Sequence, residues 1–393
     1  MKILVLSPFL PYPLSQGGKI RIFNIVKQLS RSHLITLVAI VDNRTDAQTS
    51  ILQNFCEDII VVERPARLWP DRLRFLLGRY PYNVIRYESR ALKEELNRLR
   101  KLRKFDLVQI EFSMMWQYAG IFKGIPVVLD AHNIEHNIIK QIRDAHDGAI
   151  KKAMYTLEEN RLREKERQAW RECDLCFAVS DREREIISSY PGNPDKVFTI
   201  PNGVDLERFH FYPKTRMDNQ LLFIGGMDYI PNLDSAHYFL HEIFPLVQSK
   251  IPAVKVDVVG RELWRIKNQK SLEAVQFHET VPDVLPFFRK ADVLLVPLRY
   301  GAGTRIKILE AMAAGVPVVS TSKGCEGIEV VSGEHLMIAD SPDSFALAIE
   351  KVLNDNELRK SIVHNARSLV ESKYSWEKIV RQMEGYFHNL VKA

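Results

Sequence analysis

Short apolar runs alternate with helix-like stretches along the chain, and this alternation limits the possible folds more than any other feature of the sequence. Runs rich in Val, Ile and Leu that are bounded by turn residues predict buried strands, and the longer stretches between them have helical periodicity. Leu34–Val41 and Leu107–Glu111 are two such runs in the first half, and Val318–Ser320 is one in the second. Strands that alternate with helices predict an α/β protein whose parallel sheets carry helices on both faces.

The alternation occurs twice, on either side of a polar stretch, which predicts two doubly wound domains. The turn-forming residues 201–205 are followed by the polar residues 212–220, and we expect a linker here. A length of 393 residues agrees with two domains, since a domain contains roughly 100 to 200 residues. We predict an N-terminal domain over residues 1–205 and a C-terminal domain over residues 206–374.

The last segment, residues 375–393, predicts a helix that returns to the N-terminal domain. Trp376, Ile379, Met383 and Phe387 fall on one stripe of this helix. An apolar stripe of this kind usually packs against a core, and we expect it to pack back on the first domain.

Composition excludes several classes of protein. Four cysteines in so long a chain argue against a disulfide scaffold and agree with a reducing cytoplasm. Cys173 and Cys176 have redox-motif spacing, but no second cysteine pair completes a zinc site, and we interpret them as structural. His237 and His241 lack the glutamate of an H-E-x-x-H motif and are expected to be a surface or packing pair. No apolar stretch reaches the ~18 residues needed to cross a bilayer, so any membrane contact is expected to be peripheral.

Residues 64–104 are strongly basic, with 13 Lys and Arg residues against 4 Asp and Glu residues and hence a net charge of +9. Aromatic and leucine side chains are interleaved with these charges: Trp69, Phe75, Leu76, Leu77, Tyr80 and Tyr82. Such a segment docks on anionic lipid headgroups or on nucleic acid. Alternatively, it is a solvated helical face whose Lys and Arg stems cover apolar neighbours. We retain an anionic membrane surface as the predicted partner and expect no nucleic acid.

Residues 297–317 carry their charges in an order that indicates a phosphate site. They predict a strand end, a glycine loop over 301–304 and a helix from about Arg305. Arg305 and Lys307 occupy the first turn, where the partial positive charge of a helix N-terminus favours acidic side chains, whereas Glu310 comes later. Glycine N–H groups, a helix N-terminus and two cations together bind phosphate. The alternatives are glycines required for the turn alone and a surface ion pair of Lys307 with Glu310.

A similar pattern follows the first strand, where Gly17 and Gly18 open a helix whose first turn contains Lys19 and Arg21. In open parallel sheets, ligands bind beyond the carboxyl ends of strands. If the two sheets face each other, both glycine loops open on one cleft. Neither loop matches a dinucleotide-binding or P-loop motif.

Polar side chains also follow two other predicted strands. His132 follows one of them, Val127–Asp130, and its position suggests contact with a bound substrate, although a lone histidine is often only structural. Asn133, Glu135 and His136 are further candidates beside it. Glu111 ends the preceding strand and is a carboxylate that could orient an acceptor.

Taken together, the motifs resemble those of the family-4 glycosyltransferases of the GT-B fold, and more narrowly the sugar transferases of bacterial exopolysaccharide and envelope clusters. The motifs that carry the resemblance lie at residues 17–21, 130–135, 200–205, 225–232, 260–261 and 301–310. The resemblance covers nearly the whole chain. It implies two Rossmann-like domains facing a central cleft, with the acceptor bound by the first and the nucleotide-sugar donor mainly by the second. It also implies transfer with retention of anomeric configuration and without an obligatory metal or other cofactor.

The resemblance implies roles for particular residues as well. Glu310 matches the second glutamate of an E-x7-E motif, which holds the ribose hydroxyls of the donor. Arg305 and Lys307 would grip the diphosphate and, with His132, are the predicted catalytic residues. The other predicted donor-binding residues are Gly17, Gly18, Gly226, Met227, Gly303 and Thr304. The predicted acceptor-binding residues are Arg21, Glu111 and Asn133.

Two departures from the family pattern matter. The first glutamate of the E-x7-E motif is Ala302 here, so the usual carboxylate contact with the sugar hydroxyls is absent. An arginine and a lysine that many relatives carry after the first strand of the second domain are also missing from residues 226–232. Arg305 and Lys307 are the residues expected to replace them.

We therefore expect a cytoplasmic enzyme, peripheral on the inner membrane face, that moves a sugar from a nucleoside diphosphate to a glycan or polyprenyl-linked acceptor in polysaccharide or envelope synthesis. Two alternatives stay open. A nucleotide-sugar 2-epimerase shares the architecture and the diphosphate grip but needs no large acceptor. A non-catalytic nucleotide-sugar-binding subunit is compatible with alanine at position 302.

Overall fold

The structure, a computed structural model, describes residues 1–64, 68–144, 148–190, 194–214, 217–267, 273–301 and 303–392, apart from the side chains of residues 46, 68, 69 and 194. Ala302 and residues 65–67 of the basic segment therefore lie outside the described residues. The chain divides into two compact units, Met1–Asn202 with Trp376–Ala393, and Gly203–Ser375. The first boundary falls close to the one predicted after residue 205.

Seven strands belong to the first unit: β1 (Lys2–Ser7), β2 (Leu34–Val41), β3 (Asp58–Glu63), β4 (Leu107–Glu111), β5 (Val127–Ala131), β6 (Leu175–Ala178) and β7 (Val197–Thr199). They pair in parallel in the order β3-β2-β1-β4-β5-β6-β7. The strand order changes direction between β1 and β4. The carboxyl ends of these strands therefore border the switch point at which open α/β sheets bind ligands.

Among the described residues, seven α-helices follow these strands: α1 (Gly17–Leu29), α2 (Leu68–Leu77), α3 (Tyr82–Arg86), α4 (Arg90–Leu102), α5 (Glu135–Asp144), α6 (Ala149–Glu172) and α7 (Asp181–Ser188). The basic segment thus contains three separate helices. In α4, Leu92, Leu96 and Leu99 are buried beneath exposed charged side chains. This helix therefore agrees with the alternative given for the basic segment, a solvated helical face that covers apolar neighbours. Helix α5 is not predicted from the sequence.

Six strands belong to the second unit: β8 (Gln220–Ile224), β9 (Lys255–Gly260), β10 (Val275–Glu279), β11 (Val293–Val296), β12 (Val318–Ser320) and β13 (Met337–Ile338). They pair in parallel in the order β10-β9-β8-β11-β12-β13, which changes direction between β8 and β11. Leu221 and Phe223 of β8 join one core and Leu222 joins another, because successive side chains of a strand point to opposite faces. Both faces of this sheet are therefore buried, as expected of a parallel sheet.

The α-helices among the described residues of the second unit are α8 (Ile230–Tyr238), α9 (Phe244–Lys250), α10 (Trp264–Lys267), α11 (Leu285–Lys290), α12 (Ile306–Ala314), α13 (Pro342–Asn354) and α14 (Asn356–Lys373). With two parallel sheets that each carry helices, the predicted doubly wound architecture is confirmed. Among the described residues, we find no helix with both the length and the apolar character needed to span a bilayer.

Helix α15 (Trp376–Lys392) ends the chain but belongs to the first unit. The predicted stripe of Trp376, Ile379, Met383 and Phe387 is buried in the core of that unit. The Phe387 ring, for example, lies 5.9 Å from the ring of Phe177 in β6. Because this stripe is buried in the core, α15 packs beside α1.

Candidate functional site

Two glycines shape the loop that precedes α12. Gly301 has a φ of 128° and Gly303 a φ of 75°, a region of backbone space that favours glycine because a side chain would clash with the main chain. Helix α12 then begins at Ile306 with Arg305 as its N-cap, and its first turn contains no acidic residue. The loop leaves the carboxyl end of β11, at the switch point of the second sheet. This position and backbone suit an anionic ligand.

Arg305 and Lys307 bring two positive charges to this helix N-terminus. The buried Arg305 guanidinium donates to the carbonyl of Gly303. Nζ of Lys307 donates to the carbonyl of Ile224, at the end of β8, over 2.5 Å. Burial, followed by the charge of Arg305, lowers the pKa of Lys307 to about 7. An anion beside both side chains would stabilise the charged form of Lys307, so the arrangement is suited to a diphosphate.

Glu310 lies one turn further along α12, with only 8% of its surface exposed. Burial raises the pKa of its carboxyl group to about 7. Within the part of the chain that the structure describes, this carboxylate accepts no hydrogen bond and forms no ion pair with Lys307. The alternative of a surface ion pair is therefore wrong. A buried carboxylate that accepts no hydrogen bond from the described residues is suited to the vicinal hydroxyls of a ribose, which donate two hydrogen bonds.

The remaining donor-binding predictions in the second unit fall on the loops after β8 and β11. The carbonyl of Gly226 accepts a hydrogen bond from Nδ2 of Asn232 at 3.1 Å. The Met227 side chain is fully buried in the core, its backbone N–H donates to the carbonyl of Arg261 at 2.8 Å, and its carbonyl accepts a hydrogen bond from Arg265 at 2.7 Å. Thr304, between Gly303 and the first cation, is also buried. Their contacts with a donor stay predictions.

Arg21 is held inside the first unit. Its Nε and Nη2 donate to the two oxygens of Asp130, each over 2.8 Å, and both residues are buried. Nη1 donates to the carbonyl of Pro201 at 3.0 Å and to the side chain of Asn202 at 3.2 Å. Burial alone would raise the pKa of Asp130, but the charge and hydrogen bonds of Arg21 lower it. The guanidinium thus links residues 201 and 202 to Asp130 of β5. These contacts do not support the predicted binding of an acceptor by Arg21.

His132, Glu111 and Asp130 form a buried cluster at the carboxyl ends of β4 and β5. Nε2 of His132 lies 2.7 Å from Oε2 of Glu111 and 3.6 Å from Oδ2 of Asp130. Burial, followed by the charge of Asp130, raises the pKa of Glu111. The three residues place potential metal-ligand atoms within 4.8 Å of one another. Arg21, however, already binds both oxygens of Asp130 and supplies the positive charge that a metal ion would bring.

Gly17 and Gly18 open α1, whose first turn contains no acidic residue. The structure explains Gly18 by packing, because a Cβ atom there would lie 3.0 Å from the ring of Phe112 and 3.1 Å from the ring of Phe9. Since Arg21 is paired with an aspartate, the predicted anion site at this helix loses one of its two cations. Donor contact at Gly17 and Gly18 stays a prediction.

A second buried histidine and carboxylate lie at the start of α5. Glu166 of α6 accepts hydrogen bonds from the backbone N–H groups of Glu135 at 2.8 Å and His136 at 2.9 Å, and it lies 2.6 Å from Nδ1 of His136. It thereby satisfies N–H groups that a helix N-terminus leaves unpaired. Asn133 donates to Glu135 at 3.3 Å, and burial followed by the charge of Glu166 raises the pKa of Glu135 to about 8. Asn133 is partly exposed and stays a candidate for acceptor binding.

The cysteine pair and the histidine pair singled out by their spacing are packed side chains. Cys173 and Cys176 are both buried and form no disulfide. The rings of His237 and His241 are parallel within 7°, with centroids 5.8 Å apart. These contacts agree with a packing role.

The match to known families spans both units. The family model described as Glycosyltransferase Family 4 matches residues 16–208, and the model described as glycosyl transferases group 1 matches residues 218–355. The chain belongs to the family-4 glycosyltransferases. Its activity is therefore that of a glycosyltransferase, and the resemblance read from its motifs is confirmed.

Curated relatives of this glycosyltransferase are distant in sequence. A 44.6 kDa protein in the cps region of Klebsiella pneumoniae is 25% identical, over 96% of this chain and 97% of its own length. The capsular polysaccharide biosynthesis glycosyltransferase CapM of Staphylococcus aureus is 28% identical over 56% of this chain, and the match covers 62% of CapM.

Solved structures show that the fold is GT-B. Sucrose-phosphate synthase from Thermosynechococcus elongatus has a TM-score of 0.73 at 17% identity, with 99% of each chain covered. HepE of Anabaena, solved in complex with UDP and glucose, has a TM-score of 0.68 at 16% identity, with 99% of this chain and 100% of HepE covered.

Proposed function

We propose that this glycosyltransferase moves a sugar from a nucleoside-diphosphate sugar to a glycan or polyprenyl-linked acceptor, with retention of anomeric configuration and without a metal ion. Similarity to CapM, whose name places it in capsular polysaccharide biosynthesis, supports a role in polysaccharide or envelope synthesis. The complex of HepE with UDP and glucose supports a nucleotide-sugar donor. The proposed place of action is the cytoplasmic face of the inner membrane.

The observation that carries the proposal is the set of charges on α12. Two cations at its N-terminus and a buried carboxylate one turn later match the diphosphate and the ribose of a nucleotide sugar. The acceptor oxygen forms the new bond to the anomeric carbon as the bond to the leaving phosphate oxygen breaks, and the acceptor proton passes to the diphosphate. Negative charge grows on the diphosphate in this step, so Arg305 and Lys307 bind it more strongly in the transition state than in the ground state.

A panel of donors tests the proposal. Purified protein is incubated with UDP-, GDP-, ADP- and CDP-sugars and with glycan and polyprenyl-linked acceptors, and the products are read by mass spectrometry. Release of a nucleoside diphosphate with a glycosylated product supports the proposal, and NMR of the product reports its anomeric configuration. Epimerised donor without transfer indicates a 2-epimerase, and binding without turnover indicates a non-catalytic subunit. Either of these results contradicts the proposal.

We expect the initial rate of sugar transfer to be unchanged when EDTA is added. The reason is that Arg305 and Lys307 supply the positive charge that a divalent ion would bring to the diphosphate. Rates are measured with EDTA and again after Mg²⁺ or Mn²⁺ is added in excess. Activity that EDTA abolishes and Mn²⁺ restores would contradict metal-independent transfer.

Helix α2 supports the proposed contact with an anionic membrane. Leu73, Leu76 and Leu77 expose 57%, 54% and 80% of their surfaces, and the nearby Tyr80 exposes 52%. Exposed arginines of the same segment are Arg72, Arg74 and Arg79. Exposed apolar side chains beside cations fit the boundary between the headgroups and the acyl chains of an anionic membrane.

We expect the triple variant Leu73→Ser, Leu76→Ser, Leu77→Ser to bind anionic vesicles at least about tenfold more weakly, because it loses the apolar area that would enter the membrane. Binding is measured by co-sedimentation with vesicles of phosphatidylglycerol and phosphatidylcholine. Leu347→Ser is the control, since Leu347 on α13 is 52% exposed and lies outside the basic segment. Equal partitioning of the wild type onto anionic and neutral vesicles would rule out this docking surface.

A further inference from the structure

The imidazole of His132 is fixed along one edge and across one face. Along the edge, Nε2 lies 2.7 Å from Oε2 of Glu111. Across the face, the ring of Phe112 stacks on the imidazole, with centroids 3.8 Å apart and planes inclined by 20°. Both neighbours come from the end of β4, so two consecutive residues hold one histidine.

Phe112 holds its ring there at a conformational cost. Its φ of 66° and ψ of 144° lie in a region that non-glycine residues rarely adopt. Backbone strain of this kind persists where surrounding contacts impose it, and it is concentrated at functional sites. Here the strained residue lies between the carboxylate and the 3₁₀ helix Ser113–Phe122 that follows β4, and its ring is the one stacked on His132.

The Glu111 carboxylate is itself held in place. Oε1 accepts a hydrogen bond from Nε2 of Gln109 over 2.5 Å, and the side chain is fully buried. The charged and titratable groups that face it are Asp130 and His132 from β5 and the loop after it, and Arg21 from α1. Arg21 neutralises Asp130 through two hydrogen bonds, which leaves Glu111 as the carboxylate that determines the state of the imidazole.

We propose that Glu111 is a positioning residue for His132, rather than an acceptor-binding residue, in the sugar transfer proposed above, on which this inference rests. The Nε2–H group of His132 donates a hydrogen bond to the ionised carboxylate of Glu111, which fixes the neutral imidazole in the Nε2–H tautomer. Nδ1 is then an acceptor, and within the described residues it has no hydrogen-bonding partner. It is the ring atom that can accept a hydrogen bond from a sugar or acceptor hydroxyl.

Glu111→Gln reverses this arrangement with little change in volume. The glutamine amide donates to Nε2, which moves the imidazole proton to Nδ1 and turns that atom from an acceptor into a donor. We expect kcat to fall about 10-fold to 100-fold with little change in the KM of the donor, since the donor is assigned to the second unit. In the wild type, kcat is expected to rise as pH increases through the pKa of Glu111, because the ionised form is the active one, and the variant is expected to lose this rise.

The experiment combines the kinetics with ¹⁵N NMR of the His132 ring, which reports the tautomer whether or not the enzyme turns over. Glu94→Gln is the control, since Glu94 is an exposed glutamate of α4 paired with Arg90. Glu111→Asp keeps a carboxylate and is expected to retain the Nε2–H tautomer in part. This variant is measured in place of Glu111→Gln if the glutamine variant fails to fold. An inverted tautomer with lowered kcat supports the inference. If Glu111→Gln keeps the Nε2–H tautomer, or keeps the kcat and pH dependence of the wild type, the positioning role of Glu111 is wrong while the proposed function stands. If the wild-type protein transfers no sugar from any donor, the proposed function itself is wrong.

Discussion

Replacing Lys307 by methionine is expected to lower kcat/KM for sugar transfer by about 100-fold to 1,000-fold, and Arg305→Met is expected to act similarly. Each substitution removes a positive charge from the N-terminus of α12 while keeping much of the buried side-chain volume. The loss falls on the step in which the diphosphate gains charge, so kcat should fall as well as donor affinity. Initial rates and calorimetric donor binding measure the two effects separately.

The matched control is Lys360→Met, which removes an exposed lysine of α14 that pairs with Glu357. It should leave both the rate and the affinity for donor unchanged. Thermal unfolding of each variant shows whether a loss of activity reflects a loss of folded protein. If Lys307→Met and Arg305→Met bind the nucleotide sugar as tightly as the control does, the diphosphate is held elsewhere.

Arg21→Leu is expected to lower the free energy of unfolding of the first unit by about 3 to 5 kcal/mol. The substitution leaves the buried carboxylate of Asp130 without its guanidinium and next to a second buried carboxylate, that of Glu111. Tryptophan fluorescence in urea follows this unfolding, because four of the five tryptophans, all except Trp264, lie in the first unit. The double variant Arg21→Leu, Asp130→Leu should recover part of the loss, since it removes both charges.

Arg103→Leu is the control for this stability effect. Arg103 also pairs with an aspartate, Asp58, at 2.8 Å, but 39% and 35% of the two side chains are exposed. Exposed ion pairs contribute at most about 1 kcal/mol, so the control should be close to the wild type. If Arg21→Leu costs no more than Arg103→Leu, the ion pair with Asp130 does not stabilise the first unit.

The strands, and the glycine loop and helix around residues 301–314, were predictable because their signals are local. Leu34–Val41 and Leu107–Glu111 are strands with the predicted bounds, since a continuous apolar run between turn residues suits a strand buried on both faces. The order of charges in residues 305–310 likewise depends on one helix, whose start is determined by the glycines before it. The resemblance to a known family added the predicted role of Glu310, which the helix alone does not indicate.

The buried clusters of the first unit were not predictable, because their partners are far apart in sequence. Arg21 meets Asp130 across 109 positions, and Glu166 reaches the start of α5 across 30 positions. In the sequence, Arg21 resembles an exposed cation at a helix N-terminus and Glu166 one more charge on a long polar helix. The pairing of β1, β4 and β5 in one sheet brings Arg21 and Asp130 together, and the packing of α5 on α6 brings Glu166 to the start of α5. No local pattern encodes either contact.

The position of a bound nucleoside diphosphate tests the role of α12 most directly. A crystal structure of the full chain is to be determined with the nucleoside diphosphate that the donor panel identifies. We expect its phosphates within hydrogen-bonding distance of Arg305, Lys307 and the loop N–H groups, with its ribose hydroxyls on Glu310. A nucleotide bound in the second unit with its phosphates away from both cations would contradict the assignment of α12 as the donor site.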